Sequence, residues 1–285
     1  MSYPHFRFYK RQDILSLTRL RRFETKLGEC LQTATDADLS ESLLHSKAAF
    51  VLIGIPEDIG VMANYGTGGT DTAWLPFLKA FCNIQSTDYF TGEEIIALGH
   101  FDFSDIKSMI LSNAKNEEEL VDACRHAVAN IIDSEVEALI KLVTAAGKIP
   151  LVVGGGHNNA YPLIKGTVKG LHKAGKLAAA RLNVINADAH AGYRSMEGRI
   201  AVMDSGMRSR KDFSTGTLLL DCRKATTTRV CWTSCIMTLP FNTAHSKIFS
   251  SGKNSISGRQ LYRPYRLLKT VIRVLNWTWT ALHKC

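Results

Sequence analysis

From residue 200 to residue 285 the chain holds no glutamate and only three aspartates, Asp204, Asp212 and Asp221, against 14 lysines and arginines. The other 21 basic and 23 acidic residues fall in residues 1–199, so the net charge of +9 divides into −2 for the first part and +11 for the last. Other features are absent as well. The opening stretch MSYPHFRFYKRQDIL has no apolar h-region, so no secretory signal is read there. The longest apolar run, AAFVLIGIP at 48–56, is far too short to span a bilayer, and no membrane partner is expected. Seven cysteines, an odd number without a secretion signal, speak against a disulfide framework and for a reduced, cytoplasmic compartment. No Gly-Lys-Ser/Thr follows the three glycines at 154–156, which excludes a phosphate loop.

What remains is a globular composition, 45% hydrophobic and 21% charged, on a chain long enough for one large domain or two small ones. Four of the seven cysteines and three of the four tryptophans join the basic excess past residue 199. A break this sharp marks a boundary, with residues 1–199 as one α/β unit and residues 200–285 as a tail for which no fold is expected.

The first 199 residues alternate strands with helices. AAFVLIGIP is a short apolar run stopped by glycine and proline, so it predicts a buried strand, and EEIIALGHFDF at 93–103 predicts another. Asn116 is a natural N-cap ahead of three glutamates. After it, Leu120, Cys124, Val128, Ile131, Val136, Leu139, Ile140 and Val143 recur at helical spacing up to a stop at Gly147. KIPLVVGGGH then predicts a strand, NAYPLIKGTVKGLHKAG a helix and RLNVINADAH a further strand. Helices between continuous apolar strands imply a parallel sheet covered on both faces.

In such sheets the chemistry gathers at the carboxyl ends of the strands. Two of these ends carry suitable residues. His157 follows three glycines directly, and Asp188 and His190 are one residue apart, which puts both on the same side of an extended strand end. Two imidazoles and a carboxylate from neighbouring strand tips would begin a divalent metal site, and mixed nitrogen and oxygen ligands suit Mn, Fe or Zn.

GGGH followed by N-x-D-A-H-x-x-x-R resembles the ureohydrolase family of arginase, agmatinase and formimidoylglutamase. The upstream stretch IGIPEDIGVMANYGTGGTDTAWLPFLKAF is similar to that family's first strand and glycine-rich loop. The resemblance covers about residues 48–199, and GGGHNNAYPLIKG with EGR looks closest to a bacterial arginase-like or formimidoylglutamase-like branch. It implies a three-layer α/β/α fold. It also implies two manganese ions that activate a bridging hydroxide against a guanidinium or formimidoyl carbon of a small amino-acid substrate, and it is compatible with a homo-oligomer. By position, His157 would bind one ion and His190 the other, with Asp188 bridging them. The family has another aspartate two residues after the D-A-H histidine, where this chain has Gly192. The later D-x-D and the H-S-G-N-G segment of the family are missing too.

The genetic code suggests where they went. In a shifted frame each codon is the third base of one residue and the first two of the next. Trp-Thr then always reads Asp and Asn-Trp always reads Leu, so LNWTWT at 275–280 becomes x-Leu-Asp-[Leu/Met/Val]-Asp, with Glu allowed first. RIAVMD at 199–204 permits His-Ser-Gly-Asn and forces Gly, and DCRKATTTRVCWT permits L-Q-E-S-Y-N-N-Q-S-V-L-D. One shift next to Arg199 restores three family segments in order. It also explains the composition, since an out-of-frame tail is not selected for solubility. As written, the chain keeps three of the family's six ligands, and hydrolysis is not expected of it.

Two rival readings concern the tail. Cys222, Cys231, Cys235 and His245 could suggest zinc, but their spacing fits no standard finger. A nucleic-acid-binding arm on an α/β protein would account for the charge, but the basic residues are scattered and no binding motif accompanies them.

Overall fold

A computed structural model describes residues 3–35, 37, 39–178, 181–187 and 214–220. In chain order the elements are β1 (Phe6–Phe8), α1 (Arg11–Leu17), α2 (Leu27–Cys30), α3 (Leu39–His45), β2 (Phe50–Gly54), α4 (Ile59–Met62) and α5 (Trp74–Cys82). They continue with β3 (Ile95–Phe101), α6 (Ser104–Asn113), α7 (Glu117–Ala127), α8 (Asp133–Ala145), β4 (Ile149–Val153), α9 (Ala160–Lys173), β5 (Arg181–Ala187) and β6 (Ser214–Leu220).

The main sheet has the order β1-β3-β2-β4, and β2 runs parallel to both of its neighbours. Alternation along the strands sorts side chains to two faces. Val51, Ile53, Ile96 and Leu98 face one core with Val136, Leu139, Ile140 and Val143 of α8. Leu52, Ile95 and Ala97 face the other, with Ile14 of α1 and Trp74 and Leu78 of α5. Helices therefore cover both faces, which is the expected three-layer α/β/α arrangement. Each fully buried Leu or Ile contributes roughly 1.5–3 kcal/mol of transfer free energy.

One strand departs from the parallel pattern. β1 pairs antiparallel with β3, Phe6 opposite Phe101 and Phe8 opposite Gly99. Gly99 sits where the β2–β3 register shifts, at φ +150°, and a Cβ there would lie 2.0 Å from the Arg7 carbonyl oxygen. Glycine lets the edge strand close on the bulge.

The long helical stretch is divided. Asn116 caps α7, its side chain accepting from the Glu119 N–H at 2.8 Å, and Gly147 ends α8 at φ +79°. Between α7 and α8, Val128–Ile132 form a turn of π-helix. The wider turn rotates the stripe, so that Val121, Val128 and Ile132 are buried while Leu120 and Ile131 are only partly so.

α9 packs hard on α8 through two glycines one turn apart. A Cβ on Gly166 would stand 2.7 Å from the Glu137 carbonyl oxygen, and one on Gly170 would stand 2.6 Å from that of Lys141. Lys165 and Lys169 of α9 both pair with the Glu137 carboxylate of α8, Lys165 at 2.6 Å. Another face of α9, with Ile164, Val168 and Leu171, packs with Leu182 and Val184 of β5. β5 pairs in parallel with β6 from Arg181–Ser214 to Ala187–Leu220, as a two-stranded sheet of its own.

Candidate functional site

β2 and β4 lie side by side with their carboxyl ends level, Gly54 opposite Val153. The Ile55 N–H donates to the Val153 carbonyl at 3.0 Å, and then the two chains part into loops. The glycines after β4 have a geometric cause. Gly154 and Gly155 take φ of +107° and +70°, and a Cβ on Gly155 would be 2.4 Å from the Ile55 carbonyl oxygen. Only glycine makes both turns at this separation. His157 follows, half-buried, and opens the short 3₁₀ turn His157–Asn159 that runs straight into α9.

The loop after β2 answers with two buried acids, Glu57 and Asp58, exposed by 2% and 1%. Glu57 splits its carboxylate between two loops. Oε2 accepts from the Gly60 N–H at 2.9 Å, while Oε1 accepts from the Gly156 N–H at 3.0 Å and from Asn159 Nδ2 at 2.5 Å. Burial pushes this carboxyl above the ordinary glutamate range, and its N–H partners pull the other way. The Glu57 carbonyl accepts from Thr70 Oγ1 at 2.8 Å. Asp58 Oδ2 accepts from the Gly69 N–H at 2.9 Å and from Lys107 Nζ at 2.8 Å, and Lys107 also reaches Asp71 at 2.7 Å. Burial opposes the Lys107 charge, but its two carboxylate partners outweigh this and hold its pKa above the ordinary lysine value. The pair Glu57-Asp58 thus joins the β2 exit, the glycine-rich loop at 66–70, α6 and the loop that carries His157.

Asn158 fills the remaining space. Its amide oxygen would lie 2.0 Å from a Cβ on Gly60 and 2.2 Å from one on Gly156, so both glycines make room for it. It is 2% exposed, and its amide lies at the meeting point of the two loops.

Of the sequence-predicted ligands, the structure places His157 at the tip of β4. Asp188, His190 and Gly192 lie outside the described residues, as do Cys222, Cys231, Cys235 and His245. Among the described residues β5, which leads to Asp188, pairs with β6 and not with β4. Among the described residues no group of three or more His, Cys, Asp or Glu could hold a metal ion. Glu57 and Asp58 direct oxygens to backbone N–H groups, Asn159 and Lys107, so the described residues do not by themselves fit a metal. Among them Cys30, Cys82 and Cys124 are free thiols, and burial raises the latter two to about 11, which makes them poor thiolates. No described helix is long and apolar enough to cross a membrane.

Sequence reasoning gave no role to Glu57 and Asp58. The signal was present in IGIPED, where two adjacent acids follow a strand stopped by glycine and proline.

The arginase family matches residues 48–253. Among solved structures, a Trypanosoma cruzi formiminoglutamase determined with Mn2+ superposes with a TM-score of 0.50 at 17% identity, over 74% of this chain and 62% of that one. A Trypanosoma cruzi arginase superfamily protein matches at 18% identity over 69% and 61% of the two chains, with a TM-score of 0.45. A hypothetical agmatinase from Burkholderia thailandensis matches at 15% identity over 63% and 50%, with a TM-score of 0.37. The chain spans about three fifths of the length of the first of these. No curated protein matches it by sequence.

Proposed function

Because the chain belongs to the arginase family, we propose that it derives from a manganese-dependent ureohydrolase cleaving a guanidinium or formimidoyl C–N bond, and that as written it does not turn over substrate. The match over residues 48–253 carries the first half of this reading. The glycine turn that delivers His157 to the carboxyl end of the sheet supports it, since ligands of open α/β sheets bind there. His157 is the proposed ligand of one ion and His190 of the other, with Asp188 bridging them. The GGGHNNAYPLIKG segment favours a formimidoyl amino acid over arginine or agmatine as the parent's substrate.

The second half rests on what the sequence does not supply. Gly192 stands where the family has a carboxylate, and no D-x-D follows residue 200. Three candidate ligands give each ion about two protein donors, too few for a stable dinuclear centre. We assign residues 1–199 to the ancestral domain and residues 200–285 to a change of reading frame next to Arg199. The family match runs on to residue 253 and β6 to Leu220, so a change of phase nearer the C-terminus is the competing placement. Compartment and partners follow the same proposal: a cytoplasmic protein, with no membrane or nucleic-acid partner.

The test uses two proteins, this chain and one translated with the frame restored after codon 199 and Gly192→Asp. Each is assayed with Mn2+ against formimidoylglutamate, arginine and agmatine. The chain as written should release no product above background. The restored protein should hydrolyse one of the three, formimidoylglutamate first. Turnover by the first protein overturns its inactivity, and failure of the second on all three overturns the ureohydrolase reading.

A further inference from the structure

Gly154 and Gly155 both sit at positive φ, a conformation glycine adopts at little cost, and the loop ties itself across His157, the Asn159 N–H and Nδ2 donating to the Gly156 carbonyl at 3.2 and 3.0 Å. The Glu57 side chain holds the same stretch from outside the loop. It is 2% exposed, and its Oε1 takes the N–H of Gly156, one residue before His157, and the amide of Asn159, two residues after. Oε2 is fixed to the Gly60 N–H. The carboxylate therefore grips the chain on both sides of His157 and anchors it to the exit of β2. Charged acceptors make shorter and stronger bonds to N–H donors than neutral ones do. Glutamine could not replace it, because its NH2 would face one of these N–H groups donor to donor.

We infer that Glu57 is a positioning residue for His157, setting the backbone on both sides of the ring and so the direction in which the imidazole is presented. This rests on the proposed role of His157 as a metal ligand. Groups behind a ligand typically change metal affinity about 10- to 100-fold when removed, and here the grip passes through the main chain rather than through the ring.

The experiment uses the full-length chain, isotopically labelled and first without metal. The ring resonances of His157 are identified by their loss in His157→Ala, and those of His45 on α3 serve as a distant reference. Glu57→Gln is expected to move the His157 resonances and leave those of His45 in place. With Mn2+ then added alone, only weak binding at the single His157 ligand is expected, short of a dinuclear centre, and the concentration that broadens His157 by half should rise roughly 10-fold over the wild-type chain. If the His157 resonances stay put, or shift together with those of His45, Glu57 is a general staple of the fold and the inference is overturned. Should Glu57→Gln not fold, Glu57→Asp is read in the same way, since it keeps the charge but draws the carboxylate one methylene back from Gly156 and Asn159. A wild-type titration in which Mn2+ broadens nothing near His157 overturns the ligand reading instead, and the metal-free comparison still decides the role of Glu57.

Discussion

Gly155 and Gly175 share a backbone conformation and differ in surroundings. Their φ angles are +70° and +68°, but a Cβ on Gly155 would lie 2.4 Å from the Ile55 carbonyl oxygen, whereas one on Gly175 would have nothing within 4 Å. Alanine at Gly175 should cost only the left-handed conformation, about 1 kcal/mol. Alanine at Gly155 should cost that and a backbone collision as well, roughly 2 kcal/mol or more, because the loops after β2 and β4 must separate. Thermal melts of the two variants check this: Gly155→Ala is expected to fall further by several degrees, and equal losses would show that the loops are free to part. The same comparison shows what was legible residue by residue. His157 stood out in the sequence because three glycines announce a turn at a strand end. Glu57 did not, because its importance lies in partners 99 and 102 residues away, and no local pattern records them.

At the scale of elements, periodicity located β2, β3, β4, β5, α9 and the α7–α8 stretch, since each is an apolar run or stripe with a capping or stopping residue. It missed what depends on contact between elements. β1 has three residues, FRF, and owes its place to the gap left by the Gly99 bulge. The π-helical turn at Val128–Ile132 leaves the apolar spacing of a helix in place, so the sequence reads there as one unbroken helix. The α8–α9 contact is also tertiary, and its charge part makes a pH prediction. Burial pushes the Glu137 carboxyl up, but Lys165 and Lys169 outweigh this and leave it below the ordinary glutamate range. A carboxyl lowered on folding adds stability above its unfolded pKa and loses it as pH falls through the folded value. Glu137→Gln should therefore lower the melting temperature at neutral pH, by about 2–4 °C if the partly exposed pairs contribute about 1 kcal/mol. The gap between variant and wild type should close as pH drops towards 3, below the ordinary glutamate pKa of about 4.3. A gap independent of pH would assign the contact to Gly166 and Gly170 alone.

At the scale of the whole molecule, two composition regimes sit in one chain, −2 over residues 1–199 and +11 over residues 200–285. Domain boundaries shift composition, but they rarely remove one amino acid type entirely, as glutamate is removed here. A change of reading frame does so without any function for the tail, and it makes a prediction at bases that the protein sequence leaves open. For the neighbouring phase to read His-Ser-Gly-Asn, the codon of Arg199 must end in C, that of Ile200 in A, that of Ala201 in G and that of Val202 in A. For it to read Glu-Leu-Asp before the last aspartate of the D-x-D, the codon of Leu275 must end in G. None of these third bases affects the protein as written, so nothing about this polypeptide selects them. Sequencing the DNA across codons 199–202 and 275 should find all five. If these third bases follow only ordinary codon usage, the shift next to Arg199 fails. The basic tail would then need an explanation in its own right, tested first by salt-dependent binding of the chain to nucleic acid with and without residues 200–285.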